Sequence, residues 1–138
     1  SCNLPAIADD SGLEVDFLKG SPGIYSSRFA GEGATDAENN EKLLAALELT
    51  PTEERSARFQ CVIVFMQHAL DPTPLVAQGT WKGRILTQPL GKAGFGYDPL
   101  FFIPSLEKSA AQLSEAEKNR ISHRGLALAR LQKLINLD

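Results

Sequence analysis

The segment Ser56–Met66 constrains the fold more than any other part of the sequence. One face of its period-two pattern carries four apolar side chains, Phe59, Cys61, Ile63 and Phe65. Val62 and Val64 fall on the other face, so the pattern predicts a long strand whose middle is buried on both sides. The fold is therefore expected to be built around a sheet that contains this strand.

Further strands are predicted on both sides of this segment. Two apolar runs, Leu4–Ala8 and Leu13–Leu18, flank the polar stretch Asp9–Gly12, which predicts a hairpin or a sharp bend between two short strands. Leu75–Leu86 predicts another antiparallel strand, bent at its glycines, and Leu100–Ile103 a short apolar one. Glycine-rich loops separate them, the first spanning residues 19–33 and the second residues 88–99.

Two capping boxes mark the beginnings of helices. Thr35 with Glu38 predicts a helix to about Leu49, and Ser114 with Glu117 a helical region to about Leu137. The second region is expected to break near Ser122 or Gly125. The expected buried side chains are Leu43, Leu44 and Leu47 in the first helix and Leu128, Leu131, Leu134 and Ile135 in the second. Residues 1–138 are thus expected to form one α/β (α+β) domain with a mixed, largely antiparallel sheet flanked by helices.

Composition narrows the classes of function. The 138 residues, 43% hydrophobic and 22% charged, are typical of one ordinary soluble domain. A net charge of −3 argues against a general nucleic-acid binder, and no apolar run approaches the ~18 residues of a membrane span. Cys2 and Cys61 are far apart and lack the spacing of a zinc site, so both are expected to be free thiols in a reducing cytoplasm.

The adjacent carboxylates Asp9 and Asp10 are the first candidates for chemistry. One or two carboxylates together with substrate phosphates commonly hold Mg²⁺, and these two lie at the mouth of a predicted strand. Neighbouring residues in extended backbone point in opposite directions, so only one of them is expected to face a site. Taken alone, Asp9–Gly12 is more simply explained as a solvated acidic turn.

The segment Gly91–Asp98 is the second candidate. Its glycines allow the backbone to approach a ligand closely, while Phe95 and Tyr97 offer flat rings to a planar base. Asp98 adds an acceptor for ring N–H groups. The spacing is not the dinucleotide-binding fingerprint, because Asp98-Pro99 follows rather than a helix. A tight turn with an aromatic plug explains the segment equally well.

Lys118, His123 and Arg124 are the third candidate group. Lysine supplies a point charge for phosphate, and arginine and histidine can hydrogen-bond a purine edge. On its own this cluster is more simply a solvated helix face, and Arg28 a surface arginine rather than a phosphate ligand. Taken together, the three groups are the parts of a nucleotide polyphosphate site, and we expect Asp10, Phe95 and Arg124 to share one cleft.

Four segments in order along the chain closely resemble one family, the inosine/xanthosine triphosphate (dITP/XTP) pyrophosphatases. These segments are Ala8–Leu13, Pro22–Gly31, Gly94–Pro99 and Ser109–Gly125. The resemblance implies hydrolysis of ITP, dITP and XTP to the monophosphate and pyrophosphate with Mg²⁺. It also implies cleansing of the nucleotide pool, a cytoplasmic location and a homodimer, with neither nucleic acid nor membrane as a partner.

The resemblance also implies roles for particular residues. Asp10 matches the catalytic, metal-linked aspartate, with Asp9 beside it at the metal. The substrate-binding positions are Ser11, Phe95, Gly96, Tyr97, Asp98, Lys118, His123 and Arg124. We expect in-line attack of water on the α-phosphorus, with Asp10 as general base or metal ligand.

One departure from the family concerns the start of the chain. Family members begin with a strand and a loop reading approximately Thr-Gly-Asn-x-x-Lys, then a helix and an acidic metal ligand. This sequence opens at Ser1, has its one methionine at Met66 and contains none of these. We therefore expect weak substrate binding and poor turnover. The alternatives are a catalytically impaired nucleotide-binding or dimerisation fragment, a pyrophosphatase for other modified nucleotides, or a monophosphatase.

Overall fold

The computed structural model describes residues 5–68 and 70–136, and its centre is a five-stranded sheet. The strands are β1 (Ala6–Val15), β2 (Ser56–Met66), β3 (Leu75–Ile85), β4 (Phe101–Ile103) and β5 (Lys108–Ser109). The helices are α1 (Asp36–Ala46), α2 (Glu115–Ile121) and α3 (His123–Asn136). The strands lie in chain order, and every pairing among them is antiparallel. The predicted class, an α/β fold with a largely antiparallel sheet, is confirmed.

The core lies on one face of the central strands. Ala127 and Leu131 of α3 pack on Cys61 and Ile63 of β2 and on Ala77 of β3. A larger cluster adjoins it, and its aromatic members are Phe59, Trp81, Tyr97 and Phe101. Burying a side chain of this size stabilises the fold by about 1.5–3 kcal/mol, so these aromatic rings account for much of the core's stability.

The predicted turn at Asp9–Gly12 is wrong, because β1 runs through it without a break. Residues 6–15 pair in continuous register with β2, from Ala6 opposite Met66 to Val15 opposite Ala57. Gly12 interrupts the apolar pattern of β1 because the loop that follows the strand packs against it. A Cβ atom at this position would lie 2.5 Å from the carbonyl oxygen of Gly23, so only glycine lets the loop pack on the strand.

Two expectations for the central strands are also corrected. Val62 and Val64 are only partly buried, because α3 covers the opposite face of β2. β3 continues through Gly79 and Gly83 rather than bending. At Gly79 a Cβ atom would lie 2.0 Å from the His123 carbonyl oxygen, so this glycine provides the space in which α3 meets the sheet.

Helix α1 begins where its capping box predicts. The Thr35 side chain accepts from the amide of Glu38, whose carboxylate accepts in return from the amide of Thr35. The helix ends at Ala46, earlier than predicted, and Leu49 is exposed. The buried guanidinium of Arg55 holds this end of the helix, donating to the carbonyls of Leu47, Thr50 and Leu86. Burial lowers the pKa of Arg55.

The second helical region breaks as expected. Ser122 has extended backbone between α2 and α3, and its hydroxyl accepts from the amide of Gly125. Within α3 the prediction is correct for Leu131, whereas Leu128 and Ile135 are exposed and Ala127 is buried instead. The predicted end at Leu137 and the start of the first strand at Leu4 lie outside the described residues.

The thiol of Cys61 is free and buried between β2 and α3, and burial raises its pKa. Cys2 lies outside the described residues. Among the helices of residues 5–68 and 70–136, none has the length and apolar character that a membrane crossing requires.

Candidate functional site

A cavity of about 590 Å³ lies beside the middle of β1. Its walls are formed by β1, the loop that follows it, helix α1, Phe59 of β2, the turn at residues 94–98, and the junction of α2 with α3. Nine of the ten predicted site residues line it, namely Asp9, Ser11, Phe95, Gly96, Tyr97, Asp98, Lys118, His123 and Arg124.

The turn around Phe95 is built by its own aspartate. The carboxylate of Asp98 accepts from the backbone amide of Phe95 at 3.1 Å, which closes the turn. Gly94 has a φ of +79°, and a Cβ atom there would lie 2.2 Å from Asp98 Oδ2, so no other residue fits. The closed turn presents the Phe95 ring, which is 70% exposed, to the cavity.

Lys118 connects helix α2 to this turn. Its Nζ lies 2.7 Å from Asp98 Oδ2 and 5.0 Å from the centre of the Phe95 ring. The side chains of Lys118 and Asp98 are only 19% and 7% exposed, so this ion pair has little contact with solvent. A poorly solvated pair of this kind has a stronger field than a surface salt bridge and holds both groups in fixed positions. The cavity therefore contains a fixed donor and a fixed acceptor below an aromatic ring.

His123 begins α3 and is stacked on the core. Its ring centre lies 4.7 Å from that of Phe59, with 17° between the planes. Burial lowers the pKa of His123 to about 4, although the nearby Asp98 carboxylate acts in the opposite direction. The imidazole is therefore neutral near pH 7. Its Nδ1 is buried and has no hydrogen-bond partner within residues 5–68 and 70–136.

Arg124 and Asp9 close one side of the cavity. Their ion pair joins Nη2 of Arg124 to Oδ2 of Asp9 at 3.0 Å, and the arginine side chain is 59% exposed. An ion pair this exposed contributes little to folding stability. An anionic ligand can therefore replace Asp9 as the partner of the Arg124 guanidinium with little loss of stability. Ser11 lies on the same side, opposite Cys61 in the strand register.

Asp10 does not line this cavity. In extended backbone it points away from Asp9, and it lines a smaller hollow on the other face of the sheet together with Gly23 and Gln60. The expectation that Asp10 shares one cleft with Phe95 and Arg124 is wrong, because of the two carboxylates it is Asp9 that lines the cavity. Arg28 also lies outside the cavity, with its guanidinium 5.1 Å from the centre of the Tyr25 ring.

Tyr97 lines the cavity as part of its buried wall. It is 5% exposed, and its hydroxyl donates to the carbonyl of Ser26 at 2.6 Å. Burial raises the pKa of Tyr97 far above its usual range. Because the ring is packed and the hydroxyl has a partner, Phe95 is the aromatic side chain available for stacking.

Sequence reasoning missed the residues that hold the cavity wall in place. Ser26 accepts from the amide of Leu13 at 2.9 Å and donates to the carbonyl of Gly23. Asn39 of α1 accepts from the amide of Ala30 and donates to the carbonyl of Ser27. Apart from the bond between Ser26 and Gly23, these contacts join residues 9 to 13 positions apart, so no local signal identifies them.

No metal cage is built into the described part of the chain. Within residues 5–68 and 70–136 there is no group of three or more histidine, cysteine or carboxylate side chains able to hold an ion. Asp9 and Asp10 cannot share a cation from one side of the strand, since they face opposite ways. These carboxylates fit a cation that arrives with phosphate oxygens of a ligand, because such an ion needs only one or two protein carboxylates.

The whole arrangement suits a flat heterocycle attached to an anionic group. Phe95 offers an aromatic face, Asp98 an acceptor, Lys118 and Arg124 donors, and His123 a neutral nitrogen. These features define a class of pocket that recognises the edge of a planar base through hydrogen bonds.

Comparison with known proteins identifies the family. The family model described as the Ham1 family matches residues 1–134, and this chain belongs to that family. It is 63% identical over 128 residues to a dITP/XTP pyrophosphatase of Vibrio parahaemolyticus, and 63% identical over 125 residues to one of Yersinia pseudotuberculosis. These matches cover 93% and 91% of this chain.

The chain spans 64% of the length of each of these two relatives. The fold matches a solved structure of a HAM1 protein from Coxiella burnetii with a TM-score of 0.92 and 51% identity. That match covers 98% of this chain and 68% of the other. The family and fold expected from the sequence motifs are both confirmed.

Proposed function

We propose that the cavity binds 6-oxo purine nucleotides and that the protein hydrolyses ITP, dITP and XTP to the monophosphate and pyrophosphate. The observation that carries this proposal is the grouping of Phe95, Asp98, Lys118, His123 and Arg124 in one cavity. Relatives named dITP/XTP pyrophosphatase, 63% identical over most of this chain, support the same conclusion. The role is cleansing of the nucleotide pool.

Selectivity follows from the edge of the base. Inosine and xanthosine carry an oxygen at position 6 and a ring N–H beside it, which suit the donor Lys118 and the acceptor Asp98. Adenine presents an amino group at position 6 and a ring nitrogen without hydrogen beside it. The Lys118 ammonium would then face another donor, and the Asp98 carboxylate would face a lone pair. A site built on hydrogen bonds rejects such an analogue strongly, because its buried polar groups lose their partners.

The phosphates are proposed to extend from Arg124 toward Asp9 and Asp10 of β1. Arg124 and Asp9 form an ion pair at 3.0 Å on this side of the cavity, and Asp10 is exposed. A triphosphate that passes Asp9 can reach Asp10 on the neighbouring face. This route assigns base recognition to the cavity and the reacting phosphates to the two carboxylates.

Asp10 is proposed as the general base. Water attacks the α-phosphorus and gives its proton to the Asp10 carboxylate, while the bond from the α-phosphorus to the bridging oxygen breaks and pyrophosphate leaves. Because Asp9 and Asp10 face opposite sides of β1, either Asp9 or Asp10 would hold Mg²⁺ together with phosphate oxygens, rather than both from one side. When bound, the ion supplies positive charge that offsets the charge of the leaving group.

Product analysis on the purified chain tests this proposal. ITP, dITP, XTP, GTP and ATP are offered with Mg²⁺, and pyrophosphate and orthophosphate are measured separately. We expect pyrophosphate from the inosine and xanthosine nucleotides and little from ATP. Orthophosphate as the released product would instead indicate a monophosphatase, and equal release from ATP and ITP would contradict the base pocket.

A binding module without turnover is the second candidate function. Selective binding of inosine nucleotides without pyrophosphate release would support it. For either function we propose a cytoplasmic homodimer.

A further inference from the structure

Two hydrogen bonds join the turn that carries Phe95 to helix α1, which contains none of the predicted site residues. The backbone amide of Gly96 donates to Asp36 Oδ2 at 2.9 Å. On the other side of the same residue, Asn40 Nδ2 donates to the Gly96 carbonyl at 3.1 Å. Asp36 and Asn40 lie one turn apart on α1, so Gly96 is held at both its polar groups by one helix face.

The hydrogen bonds from α1 add a restraint at Gly96 to the Asp98 contact that closes the turn. Phe95 lies between two glycines, both with positive φ, and glycine backbones are free to move through many conformations. A Cβ atom at Gly96 would meet nothing within 4 Å, so packing does not restrain this residue. Lys118 Nζ lies 5.0 Å from the centre of the exposed Phe95 ring. The two hydrogen bonds to Gly96 are therefore well placed to fix the ring.

Helix α1 is a firm support for this purpose. Its first turn is closed by the capping box of Thr35 with Glu38, and Leu43 and Leu47 are fully buried. Asn39 ties the same helix to the loop through two hydrogen bonds. Gly96 is thus anchored to the core rather than to another surface segment.

Asn40 shows a local conflict that stability alone does not explain. Its Oδ1 is buried and has no hydrogen-bond partner within the described residues. An unpaired buried polar atom lowers stability, and conflicts of this kind are typical of residues kept for a functional site.

We propose that Asp36 and Asn40 are positioning residues for base recognition: by holding Gly96, they keep the Phe95 ring and the Asp98 carboxylate in the geometry that selects a 6-oxo purine. This inference rests on the proposed function, since it takes the base to bind at this turn. Asp36 also lines the cavity, and the role proposed here is the hold that the two residues have on the turn. They act through the backbone of Gly96.

The test compares four substitutions on one helix. Asp36→Ala removes the acceptor for the Gly96 amide, whereas Asp36→Asn keeps an oxygen acceptor and loses only the charge. Glu41→Ala removes an exposed carboxylate from the same helix and is the matched control. Asn40→Ala removes the other contact and serves as a second variant if Asp36→Ala unfolds.

Two readouts are measured for each variant. Hydrogen exchange of the peptide that contains residues 94–98 is followed without ligand. Dissociation constants for IMP and AMP, which the proposed reaction does not consume, are measured by calorimetry. In Asp36→Ala and Asn40→Ala we expect faster hydrogen exchange at Gly96. We also expect the ratio of the dissociation constant for AMP to that for IMP to fall by about tenfold, because each variant loses one hydrogen bond to Gly96. Asp36→Asn and Glu41→Ala should stay within about threefold of the unmodified chain.

The outcomes separate this inference from the proposed function. If the unmodified chain prefers IMP and the Asp36→Ala and Asn40→Ala chains keep the full preference, the inference is wrong and the proposed function stands. Unchanged exchange at Gly96 in both variants also overturns it. If the unmodified chain binds IMP and AMP equally, the proposed function fails, and this inference fails with it.

Discussion

At the scale of single residues, the protonation state of the His123 imidazole links the candidate site to the pH dependence of folding stability. Its folded-state pKa of about 4 lies below the ordinary value of 6.5, so the unfolded chain binds a proton more readily between these values. The stability that the neutral ring contributes is complete above pH 6.5 and is lost as the pH falls toward 4. The chain should therefore weaken in mild acid for a reason specific to the site.

Replacing this imidazole isolates the effect. From pH 7 to pH 5 the chain should lose roughly 2 kcal/mol more unfolding free energy than His123→Gln, whose amide does not titrate. Carboxylates with lowered pKa, such as Asp71, contribute equally to both proteins and cancel. Urea unfolding at the two pH values measures the difference. Equal losses in both proteins would show that His123 is not held neutral by burial.

Asp10 is the residue whose proposed role depends most on chemistry rather than contact. Asp10→Asn keeps the size of the side chain and removes the base, so pyrophosphate release from ITP should fall by about 10²-fold or more. Binding of IMP should change little, because Asp10 does not line the cavity. Initial rates and calorimetry on the same preparation give both quantities. Unchanged turnover in Asp10→Asn would remove Asp10 from the reaction.

At the scale of elements, the contact between β3 and α3 positions His123 and Arg124. Gly79 makes this contact possible, since a Cβ atom would lie 2.0 Å from the His123 carbonyl oxygen and 2.7 Å from the Ala127 nitrogen. Gly79→Ala should lower the unfolding free energy by roughly 2–3 kcal/mol, because the helix must move outward. Gln78→Ala, an exposed neighbour on the same strand, should change it by less than about 0.5 kcal/mol.

Chemical denaturation of these two variants measures both values. If the Gly79→Ala chain proved as stable as the unmodified one, α3 would not rest on the sheet as closely as described.

Elements governed by local signals could be predicted from the sequence, and those governed by distant contacts could not. The capping boxes at Thr35 and Ser114 work within four residues, and the structure begins α1 and α2 at these caps. The continuity of β1 depends on the loop carbonyl that packs over Gly12, which the sequence of β1 does not contain. Arg55 is buried against the carbonyls of Leu47, Thr50 and Leu86, and the last of these lies 31 positions away in the sequence.

The same division applies to the candidate site. Phe95, Asp98 and Lys118 were recognisable by motif, and the structure brings them together. The choice between Asp9 and Asp10 required the register of β1, because one residue of shift exchanges the faces. The hydrogen bonds from α1 to Gly96 join residues that are separated by 56 and by 60 positions in the sequence. No local pattern could predict them.

At the scale of the whole molecule, the fold brings the sheet, α1, the turn at residues 94–98 and the α2–α3 junction together around one cavity. The central claim is that this cavity reads the 6-oxo edge of a purine. Titration calorimetry of ITP and ATP against the chain, in buffer with a chelator to prevent turnover, tests it most directly. The account predicts that ITP binds at least about tenfold more tightly than ATP. Equal dissociation constants for the two nucleotides would contradict it.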